Sequence, residues 1–429
     1  MLKRLLLKVN KQVLKNVISL SILQGSNYIL PLITFPYLVR VLGSEKYGTI
    51  AIATAVAQYL SVFVDFGFNY TATRDVALHK NDSERLNKII SNVYSAKLIF
   101  LCIALGFLTV IVILIPIFFK YYPIYFIFFM IVIGNALFPT WFYQGVERMN
   151  YITAINISIK ILSVVLIFLF VKEKDDYITA SIIQASGILI AGFIGFSMLQ
   201  IKFSISVRNL KLNFNFRHLL QEIKDSSNVF ISTLAGNVYG QGAVIITGIF
   251  AGNKYAGYYS IVQKIASAIV GLSQPFAQAI YPYLCNVYVN NYKRFNEIKK
   301  KTAFLVIACS FTISVISFFS SAIFIKWVTG DKNYYITNMM RFSSIMIGFT
   351  ICNVLLNPFI LAMKKYVQMR KMYLITSTLF LILSIPVTYS LKGIGIMVCM
   401  IFVEISIFVG SIFIMMINKQ YKKFFSLLS

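Results

Sequence analysis

Twelve long apolar segments, separated by short polar loops, constrain the fold of this 429-residue chain more than any other feature. A helix needs about 20 apolar residues to cross a bilayer, and only structures that satisfy their own backbone hydrogen bonds are stable in hydrocarbon. Since 58% of the residues are hydrophobic, we predict an all-α integral membrane protein with about 12 transmembrane helices. The predicted spans are 17–39, 48–66, 91–113, 124–143, 153–171, 179–200, 227–251, 257–284, 303–325, 342–363, 372–391 and 395–417.

The basic residues lie mainly in every second loop. Of the 40 lysines and arginines, 27 lie before the first span, in the even-numbered loops or after the last span, whereas 9 lie in the odd-numbered loops. Cytoplasmic loops carry an excess of Lys and Arg, so this imbalance predicts that both termini are cytoplasmic. The same imbalance explains the net charge of +26, so we predict no nucleic acid as a partner. Anionic membrane lipids are the expected partner of these loops.

Six spans return the chain to its starting side, which predicts two lobes of six helices each around a central cavity. The first lobe, residues 1–226, comprises an amphipathic surface helix and spans 1–6, and the second, residues 227–429, comprises spans 7–12. A weak internal repeat agrees with this division, because LGSEKYG at 42–48 resembles AGNKYAG at 251–257. Parallel repeats of this kind are typical of secondary transporters, with the substrate site between the halves.

Motifs for catalysis and cofactor binding are absent from the sequence. No Gly-Lys pair occurs, so there is no phosphate loop of the GxxxxGK[ST] type. The five cysteines form no CxxC pair and the two histidines no HExxH pattern, which argues against metal sites and disulfides. Membrane glycosyltransferases and polymerases also have many spans, but they present a long extracytoplasmic loop, and the longest such loop here, near 326–341, holds one carboxylate, Asp331. We therefore predict no enzyme activity, no cofactor and no metal.

Three groups of residues in the N-terminal half carry a resemblance to a known family. They are LPLITFPYLVRVLG at 30–43, DFGF and TATR at 65–68 and 71–74, and WFYQGVER at 141–148. In this order and spacing they resemble the O-antigen and polysaccharide repeat-unit flippases of the multidrug/oligosaccharidyl-lipid/polysaccharide exporter superfamily. The resemblance implies a bacterial inner-membrane protein that moves an undecaprenyl-pyrophosphate-linked oligosaccharide from the cytoplasmic to the periplasmic leaflet by alternating access. It also implies a polysaccharide polymerase and a chain-length regulator as protein partners.

The alternative within the same superfamily is a cation-coupled antiporter of drugs or small molecules. The load of such an antiporter is cationic, so its cavity should be rich in carboxylates. In this sequence, lysines inside the spans outnumber deep carboxylates, which favours an anionic load. An anionic pyrophosphate crossing hydrocarbon would need fixed positive charge in a hydrated cavity.

Three lysines inside the spans are the candidate pyrophosphate contacts. A charge at membrane depth costs about 2.5–3.5 kcal/mol on insertion scales, which makes each one a functional hypothesis. Lys264 lies roughly 10 Å into span 8 and Lys160 about 12 Å into span 5, at 1.5 Å per residue. Asn156 lies one turn from Lys160 on the same helix face. Lys97 lies near the cytoplasmic end of span 3, where its long stem is expected to reach water.

Two arginines and two carboxylates complete the predicted site. Arg40, at a predicted periplasmic gate, and Arg74, at the cytoplasmic mouth, belong to the family-like strings, and a guanidinium group pairs well with phosphate oxygens. Glu404, in the middle of span 12, is a candidate for carrying a coupling proton or ion, or for pairing with a cavity lysine. Asp65 is the second candidate for ion coupling, although it is also placed to cap the next turn or to pair with Arg74.

Overall fold

The protein is built from α-helices. The computed structural model describes residues 11–203 and 216–416, and this part of the chain contains helices, one short 3-10 turn at Lys174–Asp176 and no strand. The all-α prediction is therefore confirmed. The helices are α1 (Lys11–Asp65), α2 (Phe68–Leu78), α3 (Ser83–Leu114), α4 (Pro116–Phe119), α5 (Tyr122–Leu137), α6 (Thr140–Gly145), α7 (Met149–Phe170), α8 (Tyr177–Phe203), α9 (Phe216–Ala251), α10 (Asn253–Gly271), α11 (Gln274–Asn290), α12 (Tyr292–Phe319), α13 (Ser321–Thr329), α14 (Tyr334–Ala362) and α15 (Tyr366–Met416).

Two very long helices each contain an internal break. The 55 residues of α1 are interrupted at Gly43 (φ 75°, ψ 164°), and the 51 residues of α15 at Lys392 (φ 53°, ψ −131°). Since about 20 residues cross a bilayer, each of these helices is long enough for two crossings. The breaks lie where the sequence predicts the loops between spans 1 and 2 and between spans 11 and 12. Within the described residues, 8 helical segments are long and apolar enough to span a membrane, and the total of about twelve crossings stays a prediction.

The repeated glycine turn in the sequence is also a repeat in backbone conformation. Gly43 has φ 75° and ψ 164°, and Gly252, at the equivalent position of the second string, has φ 94° and ψ 165°. This region of backbone space is essentially restricted to glycine, because a side chain there would be strained. The matching glycines therefore place matching turns after the first helical segment of each repeat.

Two compact units divide the chain, with their boundary between Asn237 and Val238, inside α9. The predicted division into lobes 1–226 and 227–429 stays a prediction. Residues 1–10, which contain most of the predicted surface helix, and residues 204–215 and 417–429 lie outside the described part of the chain.

In the first unit, α5 and α8 cross with their backbones almost in contact. A Cβ atom added to Gly134 of α5 would lie 2.5 Å from the carbonyl oxygen of Ile188, and one added to Gly192 of α8 would lie 2.5 Å from the carbonyl oxygen of Gly134. Small residues permit such close approach of membrane helices, where van der Waals packing drives association. The crossing therefore depends on glycine at both positions.

The string WFYQGVER forms part of the buried core of the first unit. Trp141, Phe142 and Tyr143 on α6 are each 0% exposed, and the hydroxyl of Tyr143 donates a hydrogen bond to the carbonyl oxygen of Gly195 on α8 at 2.6 Å. A buried tyrosine hydroxyl needs such a partner. These three aromatic residues of the family-like string therefore have a structural role.

In the second unit, two lysines of a predicted cytoplasmic surface bind the end of α15. Lys299 Nζ donates to the carbonyl oxygen of Met415 at 3.1 Å, and Lys365 Nζ donates to that of Ile414 at 2.5 Å. The last carbonyl groups of a helix have no partner within it, and a cation there also interacts favourably with the helix dipole. These lysines therefore stabilise a helix end in addition to their expected role in orienting the chain.

Candidate functional site

A polar cavity of about 490 Å³ lies within the first unit. Its walls come from α1, α2, α3, α5, α6, α7, α8 and α9, all at positions before the unit boundary. Asp65 and Lys97 are the charged side chains among the residues that line it. A cavity of this size is within the range of small-molecule and cofactor sites, about 300–1,000 Å³.

Lys97 and Asp65 form an ion pair at the cavity wall. The Nζ atom of Lys97 on α3 lies 3.2 Å from Oδ1 of Asp65, the last residue of α1. The Lys97 side chain is 2% exposed, whereas that of Asp65 is 25% exposed. The prediction that Lys97 extends to water at the membrane surface is wrong, because the packing of α1 against α3 turns the amine inward to a carboxylate. The expected pair of Asp65 with Arg74 is also wrong.

The backbone changes direction immediately after Asp65. Phe66 has φ 45° and Gly67 has φ 88°, both in the left-handed region, and Gly67 is the residue that precedes α2. The Phe66 ring stacks on Phe100 of α3 at 5.0 Å and on Phe230 of α9 at 4.2 Å between ring centroids. These stacked rings hold the strained residue next to the ion pair, so the position of the carboxylate depends on three helices.

Amide and hydroxyl side chains form the rest of the polar wall. Asn135 on α5 donates from Nδ2 to the hydroxyl of Ser61 on α1 at 3.2 Å. Asn69, Gln144 and Asn156 line the same cavity from α2, α6 and α7. Of these residues, sequence reasoning pointed only to Asn156. Gln144 is a polar residue that directly follows three aromatic residues in the string WFYQGVER, and this position could have indicated a second residue of the cavity wall.

The other predicted cations are not among the residues that line this cavity. Lys160 on α7 donates a hydrogen bond from Nζ to Oδ1 of Asn27 on α1. Arg74 on α2 is exposed and pairs with its neighbour Asp75 at 3.0 Å. Arg40 is exposed on α1, three residues before the Gly43 break, and Lys264 is exposed on α10 in the second unit. Of the five predicted cations, Lys97 is the one that lines the described cavity.

Glu404 is buried in the second unit. It lies on α15 with 7% exposure, and its Oε2 atom accepts a hydrogen bond from Nδ2 of Asn353 on α14 at 2.7 Å. The same amide donates to the Glu404 carbonyl oxygen at 3.0 Å. In the part of the chain that the structure describes, the ion pairs do not include Glu404, so the predicted pairing with a lysine is not formed there.

Comparison with known proteins identifies the family. The model of the family "Polysaccharide biosynthesis protein" matches residues 13–288. A "Putative O-antigen transporter" of Escherichia coli (strain K12) is 33% identical over 383 residues, covering 89% of this chain and 91% of that protein. The chain belongs to this polysaccharide biosynthesis family. A protein of the same description from Shigella dysenteriae is 25% identical over 92% of this chain and 97% of its own length.

Solved transporter structures share the fold. An inward-facing multidrug resistance MATE family transporter of the MOP superfamily matches with a TM-score of 0.60 and 12% identity, covering 91% of this chain and 97% of that one. The lipid II flippase MurJ in an inward closed conformation matches with a TM-score of 0.58 and 18% identity, covering 93% and 87%. At these identities the similarity concerns the fold. Together with the long apolar helices, the relatives show that this is a multi-pass protein of the bacterial inner membrane.

Proposed function

We propose that the protein is a flippase that moves undecaprenyl-pyrophosphate-linked oligosaccharide, an O-antigen or similar polysaccharide repeat unit, from the cytoplasmic to the periplasmic leaflet by alternating access. The observation that carries the proposal is a buried lysine, Lys97, in the wall of a polar cavity inside a membrane unit. The relatives described as O-antigen transporters and the shared fold with a lipid II flippase support the same substrate class.

The physics of the load explains why such a cavity is needed. A pyrophosphate group carries negative charge, and an isolated ion in a low-dielectric medium is strongly destabilised. A lysine fixed at the cavity wall offsets this cost through a charge-assisted hydrogen bond. Amides and hydroxyls such as Asn69, Asn135 and Ser61 can both donate and accept hydrogen bonds, as sugar hydroxyls require. The cavity thus offers partners for both parts of the substrate.

The remaining cations extend this proposal. Lys160 lies one helical turn from Asn156, a residue of the cavity wall. We propose that the Lys160 amine leaves Asn27, its hydrogen-bond partner, to contact the load. Arg40, Arg74 and Lys264 are proposed as contacts elsewhere along the path. With both termini on the cytoplasmic side, Arg74 would be met at entry and Arg40 near exit. A polymerase and a chain-length regulator are the proposed protein partners that receive the product, and no catalytic step is assigned to this chain.

The antiporter alternative is less well supported by the cavity. A cationic load requires unpaired negative charge, whereas the one carboxylate that lines the described cavity, Asp65, is already paired with Lys97. The structural likeness to multidrug transporters concerns the fold. The pair leaves the cavity lining without net charge, so the preference for an anionic load rests on the relatives described as O-antigen transporters.

A reconstituted flipping measurement tests the proposal. The purified protein is placed in vesicles that contain an undecaprenyl-pyrophosphate-linked oligosaccharide, and a membrane-impermeant glycosidase reports which fraction of the sugar is accessible outside. We expect the protein to increase the rate at which protected sugar becomes accessible, compared with protein-free vesicles. Transport of a cationic dye by the same vesicles, without movement of the lipid, would instead establish the antiporter.

Glu404 provides a separate prediction about energy coupling. A buried carboxylate that is hydrogen-bonded to an amide is suited to bind a proton or a sodium ion. In vesicles with an imposed proton or sodium gradient, Glu404→Gln is expected to reduce flipping to the rate measured without a gradient. The exposed residue Glu297 on α12 supplies the control, since Glu297→Gln should keep the gradient response. A full gradient response in Glu404→Gln would remove the coupling role.

A further inference from the structure

The charge of Lys97 is neutralised inside the protein before any load arrives. Its side chain is 2% exposed and its amine contacts Asp65 Oδ1. A buried ammonium without a partner is strongly unfavourable, so the lysine requires an anion at all times. Asp65, in contrast, is 25% exposed, although both residues line the cavity. The two members of the pair thus differ: the cation is fixed and enclosed, and the anion faces the space that a load would enter.

We propose that Asp65 is a displaceable counter-ion, which holds Lys97 while the cavity is empty and gives way to a phosphate group of the load. The inference deepens the proposed flippase function and rests on it. The ligand class is a phosphate or diphosphate ester, whose oxygens accept the same N–H bonds that the carboxylate accepts. The exchange involves no covalent step, since one anion leaves the lysine as another arrives.

Exchange also accounts for release of the load. A phosphate that met an unpaired buried lysine would gain the full charge pair and would leave slowly. When it must replace Asp65, the gain is only the difference between two similar ion pairs, and the carboxylate is available to take the lysine back. A transporter must bind its load and then release it. The load can shift the protein between its conformations only if it binds one of them more tightly than the other. Asp65 would therefore set the affinity and Lys97 would provide the contact.

The position of Asp65 at the end of α1 lets its side chain rotate to another partner while the lysine stays in place. Asp65 ends α1, and the next two residues, Phe66 and Gly67, have left-handed backbone conformations. Asn69, four residues after Asp65, lines the same cavity, and its amide can donate a hydrogen bond to a carboxylate that has left Lys97. Lys97 lies within the long helix α3 and has no comparable freedom.

Binding of inorganic pyrophosphate to the purified full-length protein tests the exchange without requiring transport. We expect Asp65→Asn to bind pyrophosphate about tenfold more tightly than the wild type, because the competing charge is gone. Asp65→Glu keeps the charge and should retain the weaker, wild-type affinity. Lys97→Met and the double variant Asp65→Asn/Lys97→Met should show only the residual binding of the basic surface loops. Equal affinity in Asp65→Asn and the wild type would overturn the proposal.

A measurement on the wild type guards against variants that fail to fold. If pyrophosphate displaces Asp65, amide hydrogen exchange in residues 64–70 should increase when the anion is bound, and unchanged exchange at saturation contradicts displacement. The two proposals fail separately. If Asp65→Asn and the wild type bind pyrophosphate equally but the wild type flips normally, only the counter-ion role is removed. If the affinities are as expected but the wild type does not flip the lipid-linked oligosaccharide, only the proposed function is removed.

Discussion

Replacing Lys97 with methionine is expected to reduce flipping of the lipid-linked oligosaccharide to the level of protein-free vesicles. Methionine keeps an unbranched chain of similar length but removes the only cation that lines the described cavity. It also leaves Asp65 facing the load without a partner, so the cavity would repel a pyrophosphate. Breaking a fully buried ion pair costs about 3–5 kcal/mol. The loss of stability should lie below that range here, because water reaches the Asp65 side chain, which is 25% exposed.

Two comparison variants separate a lost contact from a damaged fold. Lys88, on the same helix, is 72% exposed and pairs with Glu84 at the surface, so Lys88→Met should flip at the wild-type rate. In the double variant Asp65→Asn/Lys97→Met neither charge remains, so stability should recover while flipping stays absent. The flipping rate and the unfolding temperature are measured for every variant. Wild-type flipping by well-folded Lys97→Met would show that the pyrophosphate is held elsewhere.

Replacing Gly192 or Gly134 with alanine is expected to destabilise the first unit strongly. In both cases the new Cβ would lie 2.5 Å from a backbone carbonyl oxygen of the facing helix, and a backbone cannot rotate away as a side chain can. Overpacking usually costs about 1–3 kcal/mol, and we expect each variant to be near the upper end. Because Gly134 also lines the cavity, separation of α5 from α8 should lower the flipping rate as well.

The two glycine substitutions should not be additive. Both act at one crossing, so once the first alanine has separated the helices, the second meets less resistance, and neighbouring sites commonly show coupling of about 0.5–3 kcal/mol. Gly106→Ala on α3 is the control, because no atom lies within 4 Å of its added Cβ. Unfolding in detergent is measured for the two single variants, the double variant, Gly106→Ala and the wild type. Additive losses, or losses no greater than in Gly106→Ala, would contradict the tight crossing.

Features that depend on sequence close along the chain could be predicted well. The apolar lengths predicted an all-α membrane protein, and the loops near 43 and 392 coincide with breaks at Gly43 and Lys392. The family-like strings led to the family that the comparisons identify. These features follow from hydrophobic length and, at Gly43, from a backbone conformation that glycine adopts readily, so no knowledge of neighbouring helices was needed.

The members of the site could be predicted only in part. Lys97 was recognised as a charge at membrane depth, but its depth suggested contact with water, and the structure instead encloses it. The sequence also indicated Asp65, but with Arg74 as its partner, whereas it pairs with Lys97. Lys264, predicted from its position inside span 8, is exposed in the second unit. The sequence gives the depth of a side chain along its helix. Which partner the side chain contacts also depends on how the helix is rotated about its axis and on which helix packs beside it.

The amino-acid sequence alone was sufficient for the compartment, the helical class and the positions of the helix breaks, because the bilayer imposes these through length, charge and backbone hydrogen bonding. The tertiary structure decided which in-span charge lines a cavity and which anion neutralises it. Lys97 and Asp65 are 32 residues apart, and only the packing of α1 on α3, with Phe66 held between Phe100 and Phe230, brings the two charges together.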